Sequence, residues 1–338
     1  MLLTFTPDCA HAVLSGRISI SVLREIDRAL TFNEVGARFT PQFKRGLWDG
    51  KTHLFDAKHQ IIPAGLVHRV LPVLEALGIE PDIEDARPSP PWGSDPPELV
   101  TTLHDEKRGT ITLEPDQVAA GESILENVRG LVEMATSGGK TEIIAAVFKT
   151  IPGARALMIA DRWALVEQTR DRLEERLQER VGLYGGGFKQ VNRRVTVSTV
   201  QSLAAHRKAL SQNLGFFREQ QIVVYDEAHG VSEQANSVLK LIPAPVRIGL
   251  SATIKEATRR MVVESYLGPI IFEEELATLV ALGRAAQPHV SMIRVHEPID
   301  EIEDPANAYW HGIVTSKHRN DVIIDAALRC IARSLPFL

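Results

Sequence analysis

The feature that most constrains this sequence is a glycine-containing turn between an apolar run and a helical segment. The apolar run covers residues 130–134, and the helical segment covers residues 142–150. Such a turn directs backbone N–H groups and the positive end of the helix at one point, which suits a polyphosphate. The residues expected to bind a nucleotide here are Thr136, Ser137, Gly138, Gly139, Lys140 and Thr141.

Each side chain of this loop has a predicted task. Lys140 is expected to reach the β- and γ-phosphates, and the hydroxyl of Thr141 is expected to hold Mg²⁺. The phosphate-loop pattern has a glycine where this chain has Met134, so an ordinary turn stays open as the alternative for the loop alone. Other motifs therefore decide between the two interpretations.

Bulk composition limits the classes of function. A length of 338 residues predicts about two domains, and a net charge of -5 argues against a wholly basic nucleic-acid coat. The two cysteines, Cys9 and Cys330, support neither a disulfide framework nor a cysteine-rich metal site. No run approaches the ~18 apolar residues that cross a bilayer, and no leader pattern opens the chain. We therefore expect a reducing cytoplasm and no membrane partner.

The pattern along the chain predicts an α/β protein with four segments. Residues 1–87 mix short strands and helices, which indicates a small α+β N-terminal domain. Residues 88–97 are rich in proline and are expected to form an extended linker. In residues 98–296 apolar strands alternate with helices, which predicts a parallel sheet covered on both faces. Residues 297–338 are predicted to be a connecting segment that contains an amphipathic helix.

An acidic pair follows the apolar strand predicted at residues 222–225. Asp226 is expected to hold Mg²⁺, and Glu227 to orient and deprotonate the water that attacks the γ-phosphate. His229 completes the predicted catalytic set with Lys140. The alternative is a strand-end pair that only caps a helix, but its position after a phosphate loop favours catalysis.

Two further motifs support this site. Ser251 and Thr253 close another short strand, and their hydroxyls are expected to bond His229 or the acidic pair and to couple ATP state to motion. Gln117 opens a helix upstream of the phosphate loop, where its amide could read the adenine edge with both a donor and an acceptor. The alternative there is a helix start capped by Asp116 and nothing more.

A local basic excess marks the N-terminal segment. Residues 37–69 contain six Lys or Arg and two acids, interleaved with aromatic side chains. Cations for phosphates and rings for bases could therefore sit together, so we expect DNA contacts from Lys44, Arg45, Trp48 and Lys51. A solvated basic turn, with the aromatics packed in a small core, stays open as the alternative.

The ordered motifs resemble those of a known family. Gln117, ATSGGKT, ADRWALVEQ (160–168), VSTVQSL (197–203), DEAH (226–229) and SAT are similar to the first RecA-like domain of DEAH-box-type superfamily 2 helicases. Residues 43–51, followed by a helix after Gly65, look like the N-terminal domain of the UvsW-type recombination and branch-migration helicases of tailed phages. The resemblance covers residues 1 to about 335.

The resemblance implies a P-loop ATPase that unwinds or remodels branched DNA in recombination, repair or replication restart. Arg162, Thr199 and Gln201 would contact the phosphates of the tracking strand. The implied partner is single-stranded or branched DNA, with an RNA–DNA hybrid left open.

The end of the chain departs from the family pattern. No arginine-finger motif of a second RecA-like domain occurs in the sequence, so we expect an incomplete copy or one half of a split enzyme, weak as an ATPase unless a separate chain supplies that domain. Two alternatives remain open, namely an ATP-binding accessory protein without motor activity and the ATPase part of a restriction or packaging motor.

Overall fold

The computed structural model describes most of the chain in two compact units, Met1–Ala286 and Gln287–Leu338. The described residues are 1–135, 138–212, 215–230, 232–252, 257–285, 292–293, 309–310 and 314–333. In the second unit, Ser316 is the N-cap of helix Lys317–Ala332, and its side chain accepts a hydrogen bond from the backbone N–H of Arg319. The helix predicted in this segment is therefore confirmed.

A small mixed sheet with two long helices opens the first unit. Its elements in chain order are β1 (Leu2–Phe5), β2 (His11–Ser15), α1 (Ile20–Ala29), β3 (Thr31–Asn33), α2 (Pro41–Lys44), β4 (Lys51–His53), β5 (Ile61–Pro63), α3 (Val67–Ala76) and β6 (Asp82–Asp85). The strand order is β5-β2-β1-β6, and β3 and β4 form a separate two-stranded antiparallel sheet. Apolar residues at helical spacing on α1 and α3, among them Ile26 and Val70, form the core with the sheet.

A larger sheet follows in the same unit. Its elements are β7 (Thr102–Asp105), β8 (Gly109–Thr112), α4 (Pro115–Asn127), β9 (Arg129–Met134), α5 (Lys140–Thr150), β10 (Ala156–Ala160), α6 (Trp163–Leu177), β11 (Gly182–Gly185), β12 (Phe188–Lys189), β13 (Val195–Thr199), α7 (Val200–Ala205), α8 (Arg207–Gln212), β14 (Ile222–Tyr225), α9 (Glu233–Leu239), β15 (Val246–Ser251), α10 (Ala257–Leu267), β16 (Ile270–Glu274) and α11 (Leu276–Ala281). The helix described in the second unit, Lys317–Ala332, is α12. The strand order is β12-β11-β13-β10-β14-β15-β9-β16, and β7 and β8 form a separate two-stranded sheet.

The larger sheet is parallel except for its edge strand β12, which pairs antiparallel with β11. Alternate residues of its strands point to two apolar layers. In β14, for example, Val224 packs in the layer of α5 and α6, and Tyr225 packs in the layer of α7 and α9. Because both faces are covered, the two central strands, β10 and β14, are apolar throughout, as the sequence predicts.

Buried arginines join the small sheet to the larger one. Arg129 and Arg247 are paired in register near the amino ends of β9 and β15. Arg129 Nη2 donates to the carbonyl of Cys9, and Arg247 Nη2 donates to the carbonyl of Asp8 at 3.3 Å. The turn between β1 and β2 is therefore tied to two strands of the larger sheet. The predicted domain division at residues 88–97 stays a prediction, since both sheets lie within one compact unit.

Helix α10 forms a second junction with the N-terminal elements. Glu264, whose side chain is 4% exposed, accepts a hydrogen bond from Arg69 Nε at 2.6 Å and lies 3.4 Å from His68 Nε2. A Cβ atom on Gly65 would lie 1.9 Å from the Glu264 carbonyl oxygen, so only glycine allows this approach. No described helix is both long and apolar enough to span a lipid bilayer.

Glu264 is expected to make the free energy of unfolding depend on pH in the acidic range. Burial raises the pKa of its carboxyl, but hydrogen bonds from His68 and Arg69 outweigh burial and leave the pKa below its usual value of 4.5. A carboxyl with a lowered folded-state pKa stabilises the protein above its unfolded pKa, and this contribution is lost as pH falls through the folded value. Glu264→Gln should therefore lower the free energy of unfolding at pH 7 by about 1–3 kcal/mol.

Thermal unfolding over a pH series tests this expectation. The stability difference between wild type and Glu264→Gln should shrink as the pH falls below about 4.5. Glu126→Gln, at an exposed position of α4, is the matched control and should unfold like the wild type at every pH. A Glu264 variant as stable as the wild type at pH 7 would contradict the assigned role of the carboxylate.

Candidate functional site

Two glycines shape the loop between β9 and α5. Gly139, at the N-cap of α5, has φ +78°, which glycine adopts without strain. A Cβ atom on Gly139 would lie 2.2 Å from Gln117 Nε2, and one on Gly138 would lie 2.2 Å from Met134 Cγ. A side chain at either position would therefore displace Gln117 or Met134. Two predicted nucleotide-binding residues, Thr136 and Ser137, lie outside the described residues.

Lys140 opens helix α5 at the end of this loop. It is 8% exposed, and its Nζ donates to the backbone carbonyl of Met134 at 3.1 Å. The Lys140 side chain therefore reaches across the loop, from the start of α5 to the end of β9. Thr141 follows on the first turn of α5, and both residues line the same cavity.

The acidic pair follows directly on β14. The backbone N–H of Asp226 donates to Ile159 at 2.8 Å, and the Asp226 carboxylate accepts from the backbone N–H of Glu227 at 3.0 Å. Glu227 has φ +52°, a left-handed conformation that costs a non-glycine residue about 1 kcal/mol or more. Strain of this kind is concentrated at functional sites, where surrounding contacts hold it in place.

The electrostatics of the pair follow from its position. Burial, and then the charge of Glu227, raise the pKa of the Asp226 carboxyl, while Lys140 acts in the opposite direction. A cation bound beside Asp226 would therefore stabilise the charged form of its carboxylate. Among the described residues no group of three or more His, Cys, Asp and Glu side chains could hold a metal.

Mg²⁺ is often bound by one or two carboxylates together with substrate phosphates, so a dedicated cage of protein ligands is not needed. Asp226 and Thr141 offer hard oxygen ligands within one cavity. This donor set fits a magnesium–nucleotide complex.

One cavity of about 730 Å³ brings the predicted pieces together. Lys140, Thr141, Asp226 and Glu227 all line it. The cause is the strand order β14-β15-β9, which places the carboxyl ends of these parallel strands along one edge. Residues from separate parts of the sequence therefore meet where a ligand of a parallel sheet is expected.

His229 connects the acidic pair to strand β15. Its Nδ1 atom lies 3.2 Å from Glu227 Oε2 and 3.4 Å from Ser251 Oγ. Since Ser251 is the last residue of β15, the imidazole bridges the strand end and the carboxylate. Thr253, the other predicted coupling residue, lies outside the described residues.

Gln117 contacts the phosphate loop through its side-chain amide. Its Oε1 accepts from the backbone N–H of Glu114 at 3.0 Å, and its Nε2 donates to the carbonyl of Gly138 at 2.9 Å. The amide therefore joins the start of α4 to the loop. Recognition of adenine by Gln117 stays a prediction. Asp116, the alternative cap, instead forms an ion pair with Arg284.

One wall of the cavity is formed by residues that were not predicted from the sequence. Helix α6 lines it with Leu165, Gln168, Thr169 and Arg172. Arg172 Nε also donates to Glu142 on α5 at 2.7 Å, which ties the two helices together. A signal was present, because these α6 residues follow the spacing of one helical face.

The predicted DNA contacts of the larger sheet lie along the same edge, beyond β14. Arg162 follows β10, and its side chain is 82% exposed. Gln201 is also exposed, in the first turn of α7. Thr199 is 5% exposed, and its hydroxyl caps α7 by accepting from the backbone N–H of Ser202. All three roles in DNA contact stay predictions, and for Thr199 the hydroxyl already has a structural task.

The basic N-terminal segment lies at the surface. Lys44, Arg45 and Lys51 are exposed, and Trp48 is half-buried, with its Nε1 donating to the carbonyl of Lys51 at 2.8 Å. Phe39 is 67% exposed, with the guanidinium of Arg38 over its ring, and Phe43 is 39% exposed. Phe55 of the same segment is instead 4% exposed and belongs to the core of the small sheet. Some aromatics of the segment therefore lie at the surface, and one packs in a core as the alternative expects.

Two family models match separate parts of the chain. A model described as the N-terminal domain of the DNA helicase UvsW matches residues 5–79, and one described as the res subunit of type III restriction enzymes matches residues 110–256. The DNA 3'-5' translocase XPB2 of Sulfurisphaera tokodaii is 24% identical over 171 residues. The match spans 50% of this chain and 37% of that protein.

Solved structures of similar fold extend over both sheets. A crystal structure of the UvsW helicase from bacteriophage T4 has a TM-score of 0.66 and 22% identity, and the match covers 81% of this chain and 100% of that chain. A second structure of T4 UvsW has a TM-score of 0.65 and 21% identity, with coverages of 80% and 56%. At this identity the likeness shows the fold. The predicted α/β class, a RecA-like sheet preceded by a small α+β region, is confirmed.

Proposed function

We propose that this chain, a superfamily 2 helicase-type protein resembling UvsW, binds ATP with Mg²⁺ in the 730 Å³ cavity and couples ATP hydrolysis to movement along DNA. The observation that carries the proposal is the convergence of Lys140, Thr141, Asp226 and Glu227 on that cavity. A lysine, a hydroxyl and two carboxylates at the carboxyl edge of a parallel sheet form a set suited to phosphoryl transfer.

Each residue then has a chemical task. The backbone N–H groups around Gly139 and the ammonium of Lys140 bind the phosphates, while Thr141 and Asp226 hold Mg²⁺. The bound Mg²⁺ supplies neutralisation of phosphate charge. Glu227 orients the attacking water and accepts its proton.

His229 contacts both Glu227 and Ser251. It therefore fixes the Glu227 carboxylate relative to the end of β15 and couples the movement of one to the other. The 3.2 Å and 3.4 Å contacts of the imidazole support this coupling. Loss of the γ-phosphate would therefore shift the end of β15, from which the chain continues toward α10.

DNA is the proposed track, and a branched junction is the proposed substrate. Exposed cations on the larger sheet and in the N-terminal segment, such as Arg162 and Lys44, support contacts to phosphates. The match of residues 5–79 to the UvsW N-terminal model supports action on branched DNA in recombination, repair or replication restart. We place this activity in the cytoplasm of a bacterium or a phage-infected cell.

The alternatives differ in what they predict. The restriction-enzyme model matches only residues 110–256, the region that such ATPases share, whereas the N-terminal match favours the helicase. An accessory protein would bind ATP and DNA without turnover. Measurement of ATP turnover with and without branched DNA separates this switch from a motor.

Lys140→Ala is expected to weaken nucleotide binding, because the variant loses the cation that meets the β- and γ-phosphates. We expect ATP affinity to fall by at least about tenfold and DNA-stimulated turnover to fall by about 10²-fold or more. Fluorescent-nucleotide titration and phosphate release measure the two quantities. Lys208→Ala, at an exposed position of α8, is the matched control and should retain both. Normal turnover by Lys140→Ala would refute the assignment of the cavity.

A further inference from the structure

We infer that Trp163 and Phe188 form a stacking surface for a nucleobase of single-stranded DNA. The inference rests on the proposed function and adds a base contact to its phosphate contacts. Trp163 begins α6 after β10, and Phe188 lies in β12 at the edge of the sheet. Their ring centroids are 6.2 Å apart, and the ring planes differ by 14°. Two nearly parallel rings from separate elements thus lie together at the sheet edge.

Two glycines allow the hairpin of β11 and β12 to lie against the indole. Gly185, Gly186 and Gly187 all have positive φ values, of +110°, +55° and +92°. A Cβ atom on Gly186 would lie 2.5 Å from Trp163 Cζ2, and one on Gly185 would lie 2.2 Å from Ser202 Oγ and 3.0 Å from Trp163 Cζ3, whereas Gly187 has open space around it. A side chain at Gly186 would therefore push the hairpin away from the rigid indole. Gly185 and Gly186 thus set how closely the hairpin approaches Trp163.

Phe188 has little structural reason to be aromatic. It is 41% exposed and lies outside the two apolar layers of the sheet. Trp163, in contrast, is half-buried and packs against the layer of α5 and α6. The indole is therefore anchored, and the phenyl ring is held parallel to it with part of its surface in solvent. A ring held in this way loses little conformational entropy when a base stacks on it.

The charge around the rings fits a nucleic-acid strand. Lys189, next to Phe188, is exposed, and Arg162, next to Trp163, is 82% exposed. Arg162 lies 3.5 Å from Asp161, but an exposed pair of this kind is weak and leaves the cation free to meet a phosphate. Cations that follow a backbone beside rings that stack bases are the combination that binds single strands without sequence preference.

The position of the two rings agrees with a DNA strand as the occupant. Trp163 and the hairpin lie at the carboxyl ends of β10 and β11, the same end of the sheet at which Gln201 follows β13. In the strand order, β10, β13 and β11 lie on one side of β14, and β9, which leads into the phosphate loop, lies on the other side. A strand on this surface would therefore meet the rings without entering the ATP cavity.

Binding of labelled oligothymidylate by the full chain at fixed low salt tests the inference. Phe188→Ala should weaken binding by at least about fivefold, because stacking on one base is lost. Phe188→Tyr keeps the ring and should bind within about twofold of the wild type. Phe188→Leu keeps apolar bulk without a ring and should behave like the alanine variant, which separates stacking from folding.

An abasic strand of the same length supplies the second arm. It carries the phosphates but no bases, so the wild type and Phe188→Ala should bind it equally and more weakly than the wild type binds oligothymidylate. Equal affinity of the wild type and both ringless variants for oligothymidylate would overturn the inference alone, since DNA binding itself would persist. Failure of the wild type to bind either strand would overturn the proposed function as well.

Discussion

Replacement of Glu227 by glutamine is expected to reduce ATP turnover by about 10²–10⁴-fold while ATP affinity changes little. Glutamine keeps the size of the side chain and its backbone conformation but cannot accept a proton from water. Lys140, Thr141 and Asp226 remain to bind the nucleotide. The change also removes the charge that helps to raise the pKa of Asp226, so binding of Mg²⁺ should not suffer.

Steady-state phosphate release and nucleotide titration on the same preparation check this expectation. Glu167→Gln is the matched control, because Glu167 is exposed on α6 and does not line the cavity. A Glu227→Gln variant that retained most of the wild-type rate would remove Glu227 from the mechanism. Loss of affinity and rate together would instead indicate a role in binding.

Replacement of Arg247 by methionine is expected to destabilise the first compact unit by about 3–5 kcal/mol. The Arg247 guanidinium is fully buried and donates to three backbone carbonyls, those of Asp8, Ile242 and Ala244. Methionine fills much of the same volume but leaves these carbonyls without their donor, and buried groups of this kind are costly when unpaired. Burial is the main reason that the pKa of Arg247 falls to about 10.

Thermal or denaturant unfolding measures the loss of stability in the Arg247 variant. Arg24→Met is the matched control at an exposed position of α1 and should stay within about 0.5 kcal/mol of the wild type. Hydrogen exchange gives a local readout, because the turn between β1 and β2 should exchange faster once Asp8 is released from β15. An unchanged unfolding midpoint would mean that these hydrogen bonds add no net stability.

The sequence alone determined the two strands that lead into the cavity, and the loop and the acidic pair that follow them. The predicted strand at residues 222–225 is β14 as the structure has it, and the apolar run before the phosphate loop falls within β9. Strands buried on both faces leave continuous apolar runs, and a loop or acidic pair is encoded within a few residues. Short-range patterns of this kind are readable because they depend on neighbours in the chain.

Pairing between strands that are far apart in the sequence decided other elements. The three consecutive glutamates at residues 273–275 predict the solvated start of a helix. This prediction is wrong for two of them, because Glu273 and Glu274 lie in β16, which pairs with β9, and only Glu275 precedes α11. Strand pairing here overrides local preference.

The tertiary structure alone also decided which distant groups meet. It placed the Gln117 amide against Gly138, Arg247 against Asp8, and Phe188 beside Trp163. The local sequence around each partner carries no record of the other. The order of strands across the sheet, and the depth at which each side chain is buried, set these contacts, and both arise only when the whole core packs.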